Sequence, residues 1–583
     1  MANGRVKSLK LLIESKSLES AYQPNQYLEE AGLAKNMDRR RASIHTAVSM
    51  DDTGTAPLFT SRKAKPPAKA PSIDDMIETY IGATGATQLL RAVLVAFAWA
   101  FDAQQVFISV FTDAEPPWHC IHSPDNSPCS LATASPCALQ PGTWAWDRPA
   151  VTSVVSEWAL NCAGPALVSL PASSFFAGCL AGGFLLTTLA DSLLGGKRML
   201  VVSLVSMSIA GVLTASAPNV WVYSALRFLA GIARSMIGTC TLVLSTELVG
   251  KRWRDMVSVA AFFCFTVGFL SLPAMAYALR EASWRSMYVW TSVPCLCYAI
   301  VLSFLALESP RWLLVRGRKK DAVETLRQIA SLNGSSSATD FSMLDACTLD
   351  EDTAPSGGDV FSTLQTMCER RWALRRLAAI MVAGFGVGMV YFGMPLGVGN
   401  LGSNLYPSVT YNALAELPSA MLSWLLIARF NRRSAVVALS VAAAACSLAC
   451  VAIPPGAAAA RMAAELLSFF ATCTAYDVIL IYSIELFPTA VRNSAVGLVR
   501  QAMVLGGVAA PVLIALGRES SFWSFGVFGL AIGCSGLFAA FLPETKGRTM
   551  SDTMEEEERH EIAVVFCATV TAVDKNGDDS DLV

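Results

Sequence analysis

Twelve apolar stretches, each about as long as a bilayer core is thick, recur along this chain and leave few folds open to it. A helix that spans the hydrocarbon needs about 20 mostly apolar residues. Runs of that kind occupy residues 90–112, 165–190, 199–216, 221–246, 256–279, 287–307, 376–396, 403–427, 434–453, 460–482, 494–517 and 521–542. The breaks between them carry Pro, Gly or charge, as turns at a membrane surface do. Of the 583 residues, 53% are hydrophobic and 15% charged, with a mean hydropathy of +0.46. Soluble domains seldom combine so few charges with so much apolar surface. The expected fold is an all-α membrane protein with twelve transmembrane helices.

Lys and Arg between the helices set the orientation. One set of loops holds RKAKPPAK, GGKR (195–198), KRWR (251–254), RWLLVRGRKK (311–320), RFNRR (429–433) and VRN (491–493). The alternate set is acidic, short or nearly neutral, including 113–164, APNV (217–220) and GVGNLGSN (397–404). Basic loops favour the cytoplasm, so both termini are expected inside. Residues 1–89 read as a disordered cytoplasmic tail, polar, without an early apolar core and therefore without a secretory signal. The first 49 residues differ in texture, and Met50 opens a shorter tail, so they are expected to be an alternative or mispredicted start.

Residues 90–307 form a first group of six helices and residues 376–542 a second, with a cytoplasmic tail over 543–583. A long loop, 308–375, joins them. Its segment DAVETLRQIASL places Val323, Leu326, Ile329 and Ala330 on one helical stripe, and the rest reads as a flexible linker. The other long loop, 113–164, carries Cys120, Cys129, Cys137 and Cys162. Outside the cytoplasm four such cysteines are candidates for two disulfides, and three connectivities remain open. The remaining cysteines lie mainly in apolar segments, where a free thiol behaves as a small hydrophobe. The sequon at Asn333 falls on the expected cytoplasmic side and should stay unmodified.

An acid and a base seven residues apart follow the fourth helix, Glu247 and Arg254, and the pattern returns after the tenth as Glu485 and Arg492. Charges at equivalent places in two halves can pair when one side is closed and must part when it opens, which biases a two-state equilibrium. Further echoes are ESPRWLL (308–314) against PETKGR (543–548), and GGKR against RFNRR.

Together RFLAG, STELVGKRWR, ESPRWLLVRGR, IELFPTAVRN, PETKGRT, ADSLLGGKRM and FAWAFDAQQVFISVFTDAEPPWHC resemble the organic cation/carnitine/anion transporter family of the major facilitator superfamily, most of all its plant organic cation/carnitine branch. The likeness covers roughly residues 72–550. It implies two pseudo-symmetric six-helix bundles around a central cavity, alternating access by rocking of the halves, and a cysteine-bearing outer loop that begins near His119-Cys120. It also implies a cytoplasmic gate built from Asp191, Lys197, Arg198, Glu247, Arg254, Glu485 and Arg492. The chain departs from the family pattern at Thr187 and Gly196, where Gly and Arg are usual, so the gate is expected to lean on Lys197 and Arg198. It departs again at Arg429, Phe430 and Asn431, leaving Arg432 and Arg433.

Ionisable groups inside spanning helices cost at least about 2.5 kcal/mol near the centre, so each raises a functional question. Asp102 lies in the first helix beside Gln104 and Gln105, and Arg234 lies in the fourth. A cavity cluster that binds substrate or proton and a structural Asp102–Arg234 pair are both open. Glu416 and Tyr391 match an acid and a tyrosine that the family places at its cavity. Asp477 stands where a neutral polar residue is expected, and a pair with Arg500 is one option. Where cation carriers have an acid and anion or carnitine carriers often have Arg, this chain has Val504, with Arg500 one turn earlier. A zwitterion such as carnitine would use Arg500 for its carboxylate and an acidic or aromatic wall for its ammonium. Trp99, Phe107, Tyr391 and Tyr476 are the wall candidates, together with Gln105 as a polar cavity residue.

The expected activity is secondary active or facilitative transport of an organic cation or zwitterion, with proton or sodium as the co-transported ion and lipid as the other partner. A sugar or organic-anion carrier of the same superfamily is the alternative, and a polytopic receptor a remoter one. No paired-His metal site, P-loop or nucleophile elbow occurs, so no enzyme, cofactor, metal or nucleic acid is called for. The membrane is expected to be the plasma or the vacuolar membrane.

Overall fold

The computed structural model describes residues 85–121, 136–139, 142–189, 195–332, 360–518, 520, 522–547, 551 and 553–559. The N-terminal tail before residue 85, Cys129, Asp191, Asn333 and the linker 333–359 lie outside the described residues. Among the described residues twelve long helices carry the fold: α1 (Ala86–Thr112), α2 (Pro165–Leu189), α3 (Gly196–Thr214), α4 (Val220–Glu247), α5 (Lys251–Ala278) and α6 (Trp284–Leu305) in the first half. The second half holds α7 (Arg371–Gly397), α8 (Leu405–Arg429), α9 (Arg432–Ala452), α10 (Ala458–Leu486), α11 (Arg492–Leu516) and α12 (Phe522–Phe541). Eleven of them are long and apolar enough to cross a membrane. The exception is α8, which has the length but carries Asn412, Glu416, Ser419 and Ser423 along its buried side.

Helix starts follow local chemistry. Asn219 caps α4 by accepting from the Trp221 and Val222 amides at 3.1 and 3.0 Å, and Asn404 caps α8 through the Tyr406 amide at 3.3 Å. Such caps satisfy amides that the first helical turn leaves unpaired. In the central loop, helix Lys319–Leu332 buries Leu326 and Ile329 of the expected stripe, joined by Ala322 and with Val323 half-buried, against the underside of the first half.

Without a hydrophobic difference between helix and lipid, membrane helices associate by close packing, which small residues allow. The first and fifth helices of each half meet in this way. Gly268 of α5 sits on the Ala100 backbone of α1, and Gly506 of α11 sits on the Phe385 and Met389 backbone of α7. Within the first half, Gly231 of α4 lies against the Phe175 carbonyl of α2. The halves join where Ser173 of α2 donates to the Val508 carbonyl of α11 at 3.0 Å and where α5 runs beside α8.

The described parts of loop 113–164 (113–121, 136–139 and 142–164) lie at one end of the helices, here the disulfide face. Strands β1 (Trp118–Cys120) and β2 (Trp144–Trp146) pair antiparallel. Cys137 is bonded to Cys162, with Cα atoms 5.4 Å apart, and Cys120 is disulfide-bonded too. The opposite, basic face holds the Lys/Arg-rich turns.

A Cβ at Gly231 would meet backbone rather than a movable side chain. Gly231→Val should therefore destabilise the detergent-purified protein by about 1–3 kcal/mol, read as a lowered unfolding temperature. Gly456→Val, with nothing within 4 Å, should leave that temperature unchanged. Equal unfolding temperatures for the two variants would show that α2 and α4 can separate freely.

Candidate functional site

Near mid-membrane the two halves bring different chemistry together. In the first half, Arg234 grips Asp102 through two parallel hydrogen bonds of 2.8 and 2.9 Å. A third reaches the Cys179 sulfur of α2 at 3.7 Å. Both charges are largely buried, and the bidentate fork supplies the geometry that a guanidinium–carboxylate pair in low dielectric needs. Of the two readings open for these residues, the paired one is present.

The second half supplies carboxylates without bases. Tyr391 of α7 donates to Glu416 of α8 at 2.8 Å, and Thr266 donates to the other Glu416 oxygen across from α5 at 3.4 Å. Asp477 of α10 accepts from Ser423 of α8 at 2.9 Å. Among the described residues neither acid forms a salt bridge. Tyr391 stacks on Tyr476 of α10 with centroids 4.6 Å apart and on Phe469 at 6.0 Å.

Arg500 of α11 does not meet Asp477. It reaches into the first half and donates to Thr239 at 2.6 Å. Its guanidinium and the Trp99 indole both lie beside Gly238, and the indole donates to the Gly238 carbonyl at 3.1 Å. Tyr476 lies within electrostatic reach of Arg500, Arg234, Asp477 and Asp102. The arrangement can offer a cation two carboxylates and a tyrosine pair, and a carboxylate one guanidinium. Thr266, Ser423 and Thr239 escaped sequence reasoning because single hydroxyls in apolar helices carry no pattern of their own.

Two candidates lie elsewhere. Gln105 turns into the first half, donating to Thr291 and Ser292 of α6 at 3.2 and 3.5 Å. Phe107 is fully buried and stacks on Phe269 at 4.0 Å, a core contact.

At the basic face Glu485 pairs with Arg432 at 3.0 Å and accepts from Thr545 at 2.5 Å, whereas Arg492 donates to the Phe487 carbonyl at 3.3 Å. Glu544 accepts from the Arg432 and Arg433 amides at the start of α9, at 2.9 and 3.3 Å. Glu308 does the same for the Lys197 amide at the start of α3, at 3.0 Å. Arg198 beside it is exposed. Glu247 ends α4 and Arg254 stands in the first turn of α5, both half-buried.

At the disulfide face the halves touch again. Arg518, just past α11, lies 3.4 Å from Glu115, whose carboxyl burial pushes above its usual range while Arg518 opposes the shift. Arg148 donates to the Tyr406 hydroxyl of α8 at 2.8 Å. Phe111 of α1 stacks on the same ring at 5.9 Å.

The chain matches the family model described as sugar (and other) transporter over residues 159–556. It is 48% identical over 514 residues to organic cation/carnitine transporter 2 of Arabidopsis thaliana, covering 86% of this chain and 96% of that one. It is likewise 48% identical over 515 residues to organic cation/carnitine transporter 3, covering 87% and 98%. Among solved structures, the xylose transporter of E. coli in a partially occluded inward-open conformation superposes with a TM-score of 0.55 at 17% identity. That match covers 81% of this chain and all of that one, and it agrees in fold. With twelve long helices in two halves, a repeated close-packing pattern and relatives matched nearly end to end, the chain belongs to the organic cation/carnitine transporter family of the major facilitator superfamily and is an integral membrane transporter.

Proposed function

We propose that this transporter carries small organic cations and zwitterions such as carnitine by alternating access. The observation that carries the reading is the stacked Tyr391–Tyr476 pair beside Glu416 and Asp477, with Arg500 of α11 within electrostatic reach of Tyr476. A quaternary ammonium gains from an aromatic face and from unneutralised carboxylates. A carboxylate gains from a guanidinium fork. The names of the Arabidopsis relatives support the same substrate class. Proton or sodium is the proposed co-transported ion, and both termini are placed in the cytoplasm, with the plasma or vacuolar membrane as the site of action.

Gating follows from the charges at the two faces. Arg518–Glu115 and Arg148–Tyr406 hold the disulfide face together. The Glu247–Arg254 and Glu485–Arg492 segments, with Asp191, Lys197 and Arg198, form the gate of the basic face. Opening one side breaks its set of contacts while closing the other remakes its own, and that is how a few modest pairs bias a two-state equilibrium.

Labelled carnitine and tetraethylammonium should both show saturable uptake into vesicles containing this chain. Sugar uptake with neither of them would sink the assignment. Arg500→Ala removes a charge-assisted contact worth about 1.5–3 kcal/mol. Apparent carnitine affinity should fall by about 10- to 100-fold, with tetraethylammonium nearly unaffected. Equal losses for both would make Arg500 a purely structural bridge to Thr239. Glu416→Gln should weaken both cations by about tenfold, the loss expected from one charged contact. Unaltered affinity for both would remove Glu416 from the binding wall.

A further inference from the structure

The last described stretch of the chain, residue 551 with residues 553–559, carries four consecutive glutamates, Glu555 to Glu558. It sits on the basic face of the second half. Residues 554–559 are helical, and the Thr553 hydroxyl accepts from the Glu556 amide at 3.3 Å, as a cap does. Met554, 5% exposed, enters the apolar cluster that also holds Met367, from the short helix Val360–Glu369 that leads into α7.

Two arginines at the base of α7 receive the acids. Arg370 pairs with Glu555 at 2.8 Å and with Glu558. Arg376, 4% exposed, pairs with Glu557 at 2.7 Å and also donates to the Leu486 carbonyl at the end of α10, at 3.1 Å. A second link is made by backbone: the Thr489 amide donates to the Ser551 carbonyl at 3.1 Å. The Ser551 hydroxyl in turn donates to Glu557 at 2.7 Å. Leu486 and Thr489 lie between Glu485 and Arg492, so the tail reaches the turn between α10 and α11 by two routes.

Exposed ion pairs are individually weak. The Arg376–Glu557 pair differs because its guanidinium is buried, where losing a charged partner costs more than it does at the surface. An acidic helix is therefore part of what keeps the base of α7 and the α10–α11 turn in register.

We propose that the Arg370–Arg376 base of α7 is a docking surface for an acidic helix, that the chain's own residues 551–559 occupy it, and that this occupation holds the α10–α11 turn in the geometry the gate uses. The last clause rests on the gate assignment made above. The tail is thus a working part of the transporter.

The test compares the reconstituted full chain with a Glu555→Gln, Glu557→Gln, Glu558→Gln variant. Hydrogen exchange over 551–559 and 486–491 is read together with tetraethylammonium turnover and KM. Both segments should lose protection in the variant, and turnover should fall by at least about threefold at unchanged KM, consistent with the loss of a few modest pairs. A chain ending at residue 547 should behave like the variant, and a synthetic 551–559 peptide supplied at the basic face should restore protection of 486–491 and turnover. Charge reversal, Arg370→Glu with Glu555→Arg and Glu558→Arg, should recover protection that Arg370→Glu alone loses, which separates docking from misfolding. Protection of 486–491 and turnover both unaltered in the triple variant would overturn the proposal. The exchange readout needs no substrate, so failure of the cation assignment would leave it intact.

Discussion

A charge held in hydrocarbon must find its counter-charge or its hydrogen bonds inside the protein, and the Asp102–Arg234 fork is where this chain meets that demand most completely. Two parallel bonds join α1 to α4 near the middle of both helices, and Arg234 reaches α2 through Cys179 as well. Three helices of the first half are thereby fixed around one ion pair. The second half answers the same demand differently. Glu416 and Asp477 are satisfied by hydroxyls from Tyr391, Thr266 and Ser423. Hydroxyls satisfy lone pairs without cancelling charge, so a positive ligand can still improve the electrostatics there, whereas it would find Asp102 already neutralised.

That asymmetry sits on a symmetric frame. Glu308 and Glu544 occupy corresponding places after α6 and α12, and each accepts from amides at the start of the third helix of its half. A carboxylate at a helix N-terminus gains from both the free amides and the helix dipole. The contact fixes the turn that carries Lys197 and Arg198 in one half and Arg432 and Arg433 in the other. Glu485 then needs only Arg432, held by that turn, to find a partner. The Glu485–Arg432 pair is thus positioned by a residue far along the chain.

This explains how far the residues alone could lead. Helix number, the break between halves and the repeated acid–base endings were legible because hydrophobic length and spacing are one-dimensional signals. Cys137 was a visible disulfide candidate, but its bond to Cys162 depends on how loop 113–164 folds. The Glu485–Arg432 pair was hidden because sequence spacing favours neighbours such as Arg492. Gln105 looked like a companion of Asp102 from its position, yet three residues further round α1 its side chain faces α6. Arg500 and Asp477 invited pairing by charge, and the directions of α10 and α11 give them Thr239 and Ser423 instead.

The case of α8 carries the point further. Among the described residues it is the one long helix whose composition falls short of a spanning segment, and its polar residues are not scattered. Asn412, Glu416, Ser419 and Ser423 are all buried, and their spacing of three or four residues places them on one stripe. That stripe faces α10, where Asn412 donates to Glu465 at 3.1 Å and Ser423 to Asp477, and it meets α5 through Thr266. A helix in lipid can carry such a stripe only if neighbours cover it, because uncovered polar groups in hydrocarbon are costly. The low apolarity of α8 therefore marks the side of the second half that looks inward. The feature that weakens α8 as a membrane segment is the one that gives the second half its inward polar stripe, the stripe that carries Glu416.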